Sequence, residues 1–375
     1  MARHPRAARR RSQAAAGALA LLLPAAALPW SAGAAPPPWP AADWPRAQPA
    51  AVGLEPQPLN ALVAAVRAGE DGEGAHSLLL VKDGYLVVEE YFGGWRPEAL
   101  HGLQSVTKSV TSILLGIALD QGALAGAGEP VLRFFPELRP RHADPRWQRL
   151  TLAHLLTMRS GTDFADAGAG ASLARMNRLR RGWIPFVLGA RMTAEPGRRF
   201  RYESGGAILL GEVIRRRTGL SLDAFARRYL FAPLGIDHHA WHRAEDGVAH
   251  SAGGLDLRPR DLARLGLLYL RGGRWRERRV VSRRWIERSV ARQVPAAGSL
   301  AGHPAGYGYL WWILPYPGPA RPADFYAAAG HMGQYLFVVP QERLVMVVTA
   351  GARDRRAEER PVAWLYDVVL PAVRR

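Results

Sequence analysis

Strand-forming segments lie near both ends of this 375-residue sequence, and helix-forming segments occupy its middle. Near the amino end, two apolar runs at 76–81 and 85–92 flank Asp83-Gly84, which predicts a β-hairpin because Asp-Gly favours two-residue turns. Further strands are predicted near the carboxyl end, at 307–314, 325–328, 334–339 and 344–349. This order favours one sheet assembled from both ends of the chain, with a helical lobe inserted between them.

The predicted helices have apolar residues at helical spacing. They cover 59–66, 105–122, 205–217, 221–230, 262–270 and 360–370. The helix that begins at Ser105 continues as an apolar segment, so we expect it to be buried in the middle of the molecule. No internal repeat divides the chain, and 51–375 is predicted to form a single domain.

The charge of the chain is carried almost entirely by arginine. Of 50 lysine and arginine residues, only Lys82 and Lys108 are lysine, and the formal net charge is +18. The arginines are scattered without a basic stripe or an interleaved aromatic motif, so no nucleic-acid partner is expected. Cysteine is absent, which excludes disulfides, thiolate metal ligands and a cysteine nucleophile. The histidines near position 240 lack metal-ligand spacing, so neither a metal nor a cofactor is expected.

The amino-terminal segment has the pattern of an export signal. Residues 1–11 contain five arginines and no acidic residue, an apolar run follows, and Ala32-Gly33-Ala34 fits a cleavage site. We predict a secretory signal peptide at 1–34, a Pro/Ala-rich extended linker at 35–50, and a periplasmic or secreted protein with no stable membrane insertion after signal removal. An uncleaved anchor is the alternative, and the general and twin-arginine export routes both stay open.

Lys108 follows Ser105 by three residues. On a helix this spacing puts both side chains on one face, one turn apart. A buried lysine, unlike arginine, can give up its proton and then accept the proton of a hydroxyl nucleophile. The alternative is a solvated lysine at a helix start, and Lys82 beside the hairpin turn is predicted to be an exposed charge of that ordinary kind.

Two later stretches carry groups suited to proton transfer and charge stabilisation. Tyr202 precedes an apolar helix, and a tyrosine beside a lysine ammonium can shuttle a proton to a leaving group. Glycines on both sides of His331 would let the backbone approach a ligand, where a strand N–H could form half of an oxyanion hole. The alternatives without a catalytic role are that Tyr202 is a half-buried core tyrosine and that His331 is a loop histidine at the start of a strand. The glycine-rich segment 250–254 is expected either to support the site or simply to connect two elements.

Taken together, these stretches resemble the class C-like branch of the serine β-lactamase and penicillin-binding protein superfamily, over roughly residues 50–375. The likeness to 6-aminohexanoate-dimer hydrolases and esterases of that branch is greatest around 325–335. The motifs that carry the resemblance are Ser105-x-x-Lys108, 152–161, Glu195-Pro196-Gly197, Phe200-Arg201-Tyr202, 210–214, 231–236 and 330–333. The resemblance implies an α+β fold: an antiparallel sheet from the two ends of the chain, flanked by helices, with an inserted all-helical lobe.

The resemblance also implies roles for individual residues. Ser105 would be the acylated nucleophile, Lys108 its base, and Tyr202 a second proton-transfer group. The backbone N–H groups of Ser105 and Gln334 would form the oxyanion hole. The remaining residues expected to contact substrate are Gln104, Ser204, His331 and Gly333.

Two departures from the family pattern favour an esterase or amidase over an efficient β-lactamase. Ser204 stands where the family motif has asparagine, and His331 stands where β-lactamases have a lysine that meets the antibiotic carboxylate. We therefore expect hydrolysis of a small amide or ester, with the oligomeric state left open. The alternatives are a cell-wall D-peptidase or weak β-lactamase and, from a different class, a non-catalytic envelope protein that binds a ligand in the same pocket.

Overall fold

The structure is a computed structural model that describes residues 38–41, 43–137, 144–317 and 324–374. Its strands are β1 (Ala75–Lys82), β2 (Tyr85–Tyr91), β3 (His101–Gly102), β4 (His239–Trp241), β5 (Leu255–Leu257), β6 (Arg274–Trp275), β7 (Arg278–Arg279), β8 (Val294–Leu300), β9 (His303–Tyr307), β10 (Trp312–Pro315), β11 (Asp324–Gly330), β12 (Gln334–Val339) and β13 (Leu344–Ala350). Its α-helices are α1 (Pro56–Ala68), α2 (Val106–Asp120), α3 (Leu152–Leu156), α4 (Ser172–Asn177), α5 (Trp183–Leu188), α6 (Gly205–Thr218), α7 (Leu222–Ala226), α8 (Ala232–Leu234), α9 (Pro259–Leu270), α10 (Arg283–Ser289) and α11 (Arg355–Ala363). Single turns of 3-10 or π helix extend or join several of these elements.

One eight-stranded antiparallel sheet joins the two ends of the chain, in the order β2-β1-β13-β12-β11-β10-β9-β8. The hairpin of β1 and β2 pairs through β1 with the last strand, so Leu79 lies opposite Val347. Asp83 and Gly84 in the hairpin turn have φ angles of 55° and 89°, as a two-residue turn of this type requires. The predicted sheet from both ends of the chain is confirmed.

Both faces of the sheet are covered, which explains why its central strands are apolar throughout rather than alternating. On β13, Leu344, Met346 and Val348 face one core, which α1 and the helix after α11 close. Val345 and Val347 face the other core, which contains α2, α9 and the lobe.

The lobe between α2 and β8 is mainly helical and also contains the small strands β4 to β7. Of these, β4 and β5 form a three-stranded sheet with β3, which precedes α2, and β6 pairs with β7. The helix predicted at 262–270 corresponds to α9 (Pro259–Leu270), and that at 205–217 to α6. Gly266 on α9 lies so close to β13 that a Cβ atom there would be 2.5 Å from Val345 Cγ1. The lobe is thus attached to the sheet by tight backbone approach as well as by chain connection.

Three predictions need correction. The continuous strand expected at 307–314 is interrupted, because Leu310 has a φ of 63° and the chain turns between β9 and β10. Lys82 is buried rather than exposed, and its ammonium pairs with the Asp83 carboxylate. The described part of the predicted linker is attached to the body of the protein, since Trp44 is buried in the main core. The predicted signal peptide lies outside the described residues.

Across the described ranges, the helices are all too short or too polar to cross a membrane.

Candidate active site

Ser105 lies at the point where a short strand, β3, turns into the central helix α2. The preceding residue, Gln104, has a φ of 49°, a left-handed conformation that non-glycine residues adopt mostly where surrounding structure enforces it. Serine at such a position commonly caps a helix, but the Ser105 side chain makes no capping hydrogen bond. Its hydroxyl is therefore left for other chemistry, and the residue is half-buried rather than sealed in the core.

Lys108 is 1% exposed, and its Nζ donates to Ser105 Oγ at 2.8 Å and to the Ala252 carbonyl oxygen at 3.0 Å. Within the described ranges, no carboxylate lies at ion-pair distance from Lys108 Nζ. A fully buried lysine is usually paired with a carboxylate, so a lysine whose described partners are both uncharged oxygens is unusual. This arrangement suits a lysine that exchanges its proton with a neighbouring hydroxyl.

Buried polar side chains fix α2 in the molecule. Ser109 Oγ donates to the Leu310 carbonyl at 2.6 Å, and Thr111 Oγ1 donates to the Ser251 carbonyl at 2.8 Å. Thr107 Oγ1 accepts from the Leu255 N–H at 3.2 Å. Because unsatisfied buried polar groups are costly, these bonds hold α2 in one position relative to the segment 251–255 and to Leu310 between β9 and β10.

Tyr202 lies beside this pair and belongs to an aromatic wall. Lys108 Nζ is 5.0 Å from the centroid of the Tyr202 ring. The ring stacks on Trp312, with centroids 5.7 Å apart and planes inclined by 13°, and meets Tyr307 edge-on at 6.3 Å. The three predicted catalytic residues are therefore brought together, from the start of α2 and from the segment before α6.

Two carboxyl groups close to this centre were not predicted. Glu203 is 1% exposed, and burial raises its pKa to about 7. Asp166, in the loop before α4, accepts from the Ser204 N–H at 2.8 Å and from Ser204 Oγ at 2.7 Å. Ser204 was expected to contact substrate, but its hydroxyl donates a hydrogen bond to the Asp166 carboxylate instead.

The glycine-rich segment 250–254 contacts Lys108, which agrees with the first of its two predicted roles, support of the site. Its Ala252 carbonyl accepts from Lys108 Nζ, and its Ser251 hydroxyl donates to the Ala207 carbonyl at 2.8 Å. The His250 ring bonds to Asn177 Oδ1 at 3.1 Å through Nε2. Burial, followed by the nearby Lys108 charge, lowers the pKa of His250 to about 4, so this ring is neutral at physiological pH.

The turn between β11 and β12 contains the other predicted substrate-binding residues. His331 is largely exposed and its Nδ1 lies 3.0 Å from Glu358 Oε2, on an open cavity of about 640 Å³ beside α11. Gly333 has a φ of 88°, which the tight turn requires. The Gln334 side chain is buried and donates to the carbonyls of His331 and Met332, both at 3.2 Å. That side chain therefore shapes the turn, while the predicted role of the Gln334 backbone N–H stays a prediction.

The end of β11 passes directly against the segment that precedes the nucleophile. A Cβ atom on Gly330 would lie 2.5 Å from the Leu103 carbonyl oxygen and 3.1 Å from Gln104 Cβ. Only glycine allows this approach without displacement of one of the two segments. The turn at 331–333 consequently begins next to Gln104 and Ser105.

A serine hydroxyl bonded to a buried lysine, with a tyrosine ring 5.0 Å from the amine, is the side-chain set of a serine hydrolase that acts by acyl transfer. The whole-chain comparison agrees with this class. The Beta-lactamase family matches residues 59–368, so the chain belongs to the beta-lactamase family.

The most similar relatives extend the comparison to hydrolases. The 6-aminohexanoate-dimer hydrolase of Paenarthrobacter ureafaciens is 29% identical over 296 residues, which cover 74% of this chain and 73% of the relative. Esterase EstB of Burkholderia gladioli is 32% identical over 156 residues, or 38% of each chain. A solved structure from Bacillus anthracis, provisionally assigned as a 6-aminohexanoate-dimer hydrolase, superposes with a TM-score of 0.71 at 21% identity and covers 88% of this chain and 87% of its own. The predicted family and α+β fold are confirmed.

Proposed function

We propose that the protein is an exported serine hydrolase that cleaves small amides or esters through an acyl-enzyme on Ser105. One observation carries the proposal: the buried Lys108 Nζ lies 2.8 Å from Ser105 Oγ, and its other hydrogen bond goes to an uncharged carbonyl. A neutral amine at this distance accepts the hydroxyl proton as the oxygen attacks a carbonyl carbon.

The reaction then follows the positions of the side chains. Attack by Ser105 Oγ gives a tetrahedral oxyanion, which backbone N–H groups stabilise, and the Ser105 N–H makes no bond to another described residue. Lys108 and Tyr202 pass the proton to the leaving alcohol or amine, which departs as the acyl-enzyme forms. Water then attacks the ester, the same two residues remove its proton, and the acid leaves with Ser105 restored.

The substrate class is supported by the shape and chemistry of the site. Trp312, half-buried and stacked on Tyr202, gives this side of the site an aromatic surface suited to a short carbon chain, and the buried Tyr307 ring packs edge-on against both. The similar proteins include a 6-aminohexanoate-dimer hydrolase and an esterase, which supports a hydrolase whose substrates are amides or esters. No basic side chain takes the place of the β-lactamase lysine in the described turn, where His331 bonds instead to Glu358.

The test is turnover of a p-nitrophenyl ester and of a small linear amide by the wild type and by Ser105→Ala. We expect ester hydrolysis that Ser105→Ala abolishes, and a mass spectrum with little adduct after brief exposure to a penicillin. Slow-dissociating penicillin adducts would favour the D-peptidase or β-lactamase alternative. Binding of a small acyl compound without turnover of any ester or amide would favour a ligand-binding protein and contradict the proposal.

Export is the second part of the proposal and rests on the sequence of residues 1–34. The measurement is the amino-terminal sequence of the protein recovered from the periplasm or medium of an expressing bacterium. A mature protein that begins near Ala35 is expected, whereas retention of residues 1–34 in the cytoplasmic fraction would contradict export.

A further inference from the structure

Asp166 is a half-buried carboxyl group, in the loop before α4, that the reaction described above does not use. Its two oxygens accept from one residue: the Ser204 N–H donates to Oδ1 at 2.8 Å, and the Ser204 hydroxyl donates to Oδ2 at 2.7 Å. The hydrogen bonds that the structure describes for this carboxyl group therefore hold a single point of the chain, which lies directly after Tyr202 and Glu203.

Ser204 is the residue at which α6 begins, and it is 2% exposed. A serine at this position usually accepts from an N–H group in the first turn of its helix, but the Ser204 side chain makes no such bond. Glu203 takes that role, since the Gly206 N–H donates to its two carboxyl oxygens at 3.1 and 2.9 Å. The Ser204 hydroxyl is thus directed away from its own helix and towards Asp166.

The loop that carries Asp166 is held in place independently of Ser204. The Asp163 N–H donates to the Arg191 carbonyl at 2.9 Å. Phe164 follows in the chain and is 1% exposed within the main core. Because this part of the loop is attached to the lobe, Asp166 is a fixed partner to which the start of α6 is bound.

The main chain around Tyr202 is held on both sides. Before it, the Arg201 N–H donates to the Met158 carbonyl at 2.8 Å. After it comes the two-point contact with Asp166. Between these attachments, the Tyr202 ring lies with its centroid 5.0 Å from Lys108 Nζ. A displacement of about 1 Å in a group that transfers a proton is enough to slow a reaction about 100-fold, so the position of this backbone matters for catalysis.

We propose that Asp166 is a positioning residue for Tyr202: by binding Ser204 at two points, it holds the tyrosine at the distance from Lys108 at which the two residues exchange a proton. Asp166 acts in this role by its contacts rather than by its charge. The inference rests on the proposed function in taking Tyr202 as a proton-transfer group, but the position of the Tyr202 ring is measurable without turnover.

The first test compares the hydrolysis of a p-nitrophenyl ester by wild type, Asp166→Ala and Asp166→Asn. Alanine removes both acceptors, so kcat should fall by about 10- to 100-fold while KM stays within about twofold. Asparagine can keep both contacts, because its oxygen accepts from the Ser204 N–H and its amide donates to the hydroxyl oxygen, and kcat should return to within about threefold of wild type. A loss in Asp166→Asn as large as that in Asp166→Ala would show that the charge matters and would overturn the proposal.

Asp163, in the same loop, provides a matched control. Its carboxylate also accepts twice from one residue, from the Arg191 N–H at 2.9 Å and from Arg191 Nε at 3.0 Å. The backbone bond from Asp163 to Arg191 remains when the side chain is removed, so Asp163→Ala should keep kcat within about twofold of wild type. An equal loss of kcat in Asp163→Ala and Asp166→Ala would overturn a specific role for Asp166.

The second test asks whether Asp166 acts through Tyr202. If it does, Tyr202→Phe has already removed the hydroxyl that Asp166 positions, and the addition of Asp166→Ala should lower kcat by no more than about a further twofold. A further loss as large as the one that Asp166→Ala causes alone would overturn the proposal, because the two residues would then act independently.

The third test needs no turnover and uses NMR of protein labelled with 13C in the tyrosine rings. The signal of Tyr202 is identified by its loss in Tyr202→Phe. Asp166→Ala should shift this signal, whereas Asp163→Ala should leave it at its wild-type position.

The NMR measurement separates failure of this inference from failure of the proposed function. If the wild type hydrolyses no ester or amide, the proposed function fails, and the Tyr202 signal in Asp166→Ala alone supports or overturns the positioning of the ring. If turnover depends on Ser105 but the Tyr202 signal of Asp166→Ala stays in place, the positioning is overturned and the proposed function stands.

Discussion

The two lysines of this chain are both buried, yet their surroundings differ. At the end of the β1–β2 hairpin, Lys82 is 4% exposed and its ammonium pairs with Asp83, which also pairs with Arg343. At the start of α2, Lys108 is 1% exposed and bonds to a hydroxyl and a carbonyl. The ammonium of the first lysine is therefore held by an ion pair, whereas the described hydrogen-bond partners of the second are both uncharged oxygens.

The comparison teaches that burial alone does not identify a base. What matters is whether the partner at hydrogen-bond distance carries a negative charge. Near Lys108, the buried carboxyl of Glu203 follows Tyr202 in the chain; it makes no ion pair with Lys108 within the described ranges, and burial raises its pKa to about 7. The lysine of the hairpin has an ion-pair partner, and the lysine of α2 has the uncharged partners that the proposed function requires of a base.

The largest expected effect separates the two lysines directly. Lys108→Arg keeps a positive charge but cannot act as a base, so kcat/KM for a p-nitrophenyl ester should fall by about 10³-fold or more. Lys82→Arg is the matched control, because an arginine there still pairs with Asp83, and its activity should stay within about twofold of wild type. Near-normal turnover by Lys108→Arg would contradict the role of Lys108 as a base and the difference drawn between the two lysines.

Tyr202→Phe tests whether the hydroxyl of the tyrosine beside Lys108 takes part in proton transfer. Phenylalanine keeps the stacking on Trp312 but removes the hydroxyl, so kcat should fall by about 10²-fold with little change in thermal stability. Steady-state kinetics and a melting curve measure the two effects. An unchanged kcat would remove Tyr202 from proton transfer.

A smaller effect is expected when the hairpin charge is removed. Lys82→Met leaves Asp83 paired with Arg343, so the free energy of unfolding should fall by about 1 to 3 kcal/mol while the activity of the folded enzyme is kept. Urea unfolding and ester turnover of the same preparation give both quantities. A large loss of kcat at full folding would mean that the two lysines do not have separate roles.

The smallest effect concerns His250, which lies near Lys108 and not near Lys82. Its folded-state pKa of about 4 is below the usual 6.5, so the unfolded chain binds more protons between these values. Stability is therefore complete above about pH 6.5 and falls as the pH drops towards 4, by at most about 3 kcal/mol from this group. His250→Gln should flatten this part of the curve of unfolding free energy against pH, and an identical curve would contradict the assignment.

The sequence predicted the elements whose signals are local. The Asp83-Gly84 turn, the apolar strands and the Ser105-x-x-Lys108 spacing each depend on residues close together in the chain, and each is found as expected. Glu203 could have been suspected, since it lies inside the Tyr202 stretch and is followed by two glycines. Nothing in the spacing of 161–170 indicates that Asp166 would meet Ser204, because that contact depends on how a loop folds across the lobe.

The burial of Lys82 was missed for a related reason. A lysine at a strand end is usually solvated, and only the partner at Asp83 and the strand packing around it show that this one is not. Likewise, Leu310 at the strand break bonds through its carbonyl to Ser109 on α2 and through its N–H to the Leu156 carbonyl, both contacts between segments distant in sequence. Contacts of this kind, between residues distant in sequence, determine which side chains of a motif reach the candidate active site and which ones only hold its backbone in place.

The most direct test of the account is peptide mass mapping of wild type and Lys108→Arg, quenched during turnover of a p-nitrophenyl ester. The account predicts an acyl group on the peptide that contains Ser105 in the wild type, and no acylation of Lys108→Arg on the same timescale. Acylation of Lys108→Arg at the wild-type rate, or an acyl group on a different residue, would contradict the assignment of Ser105 and Lys108 as nucleophile and base.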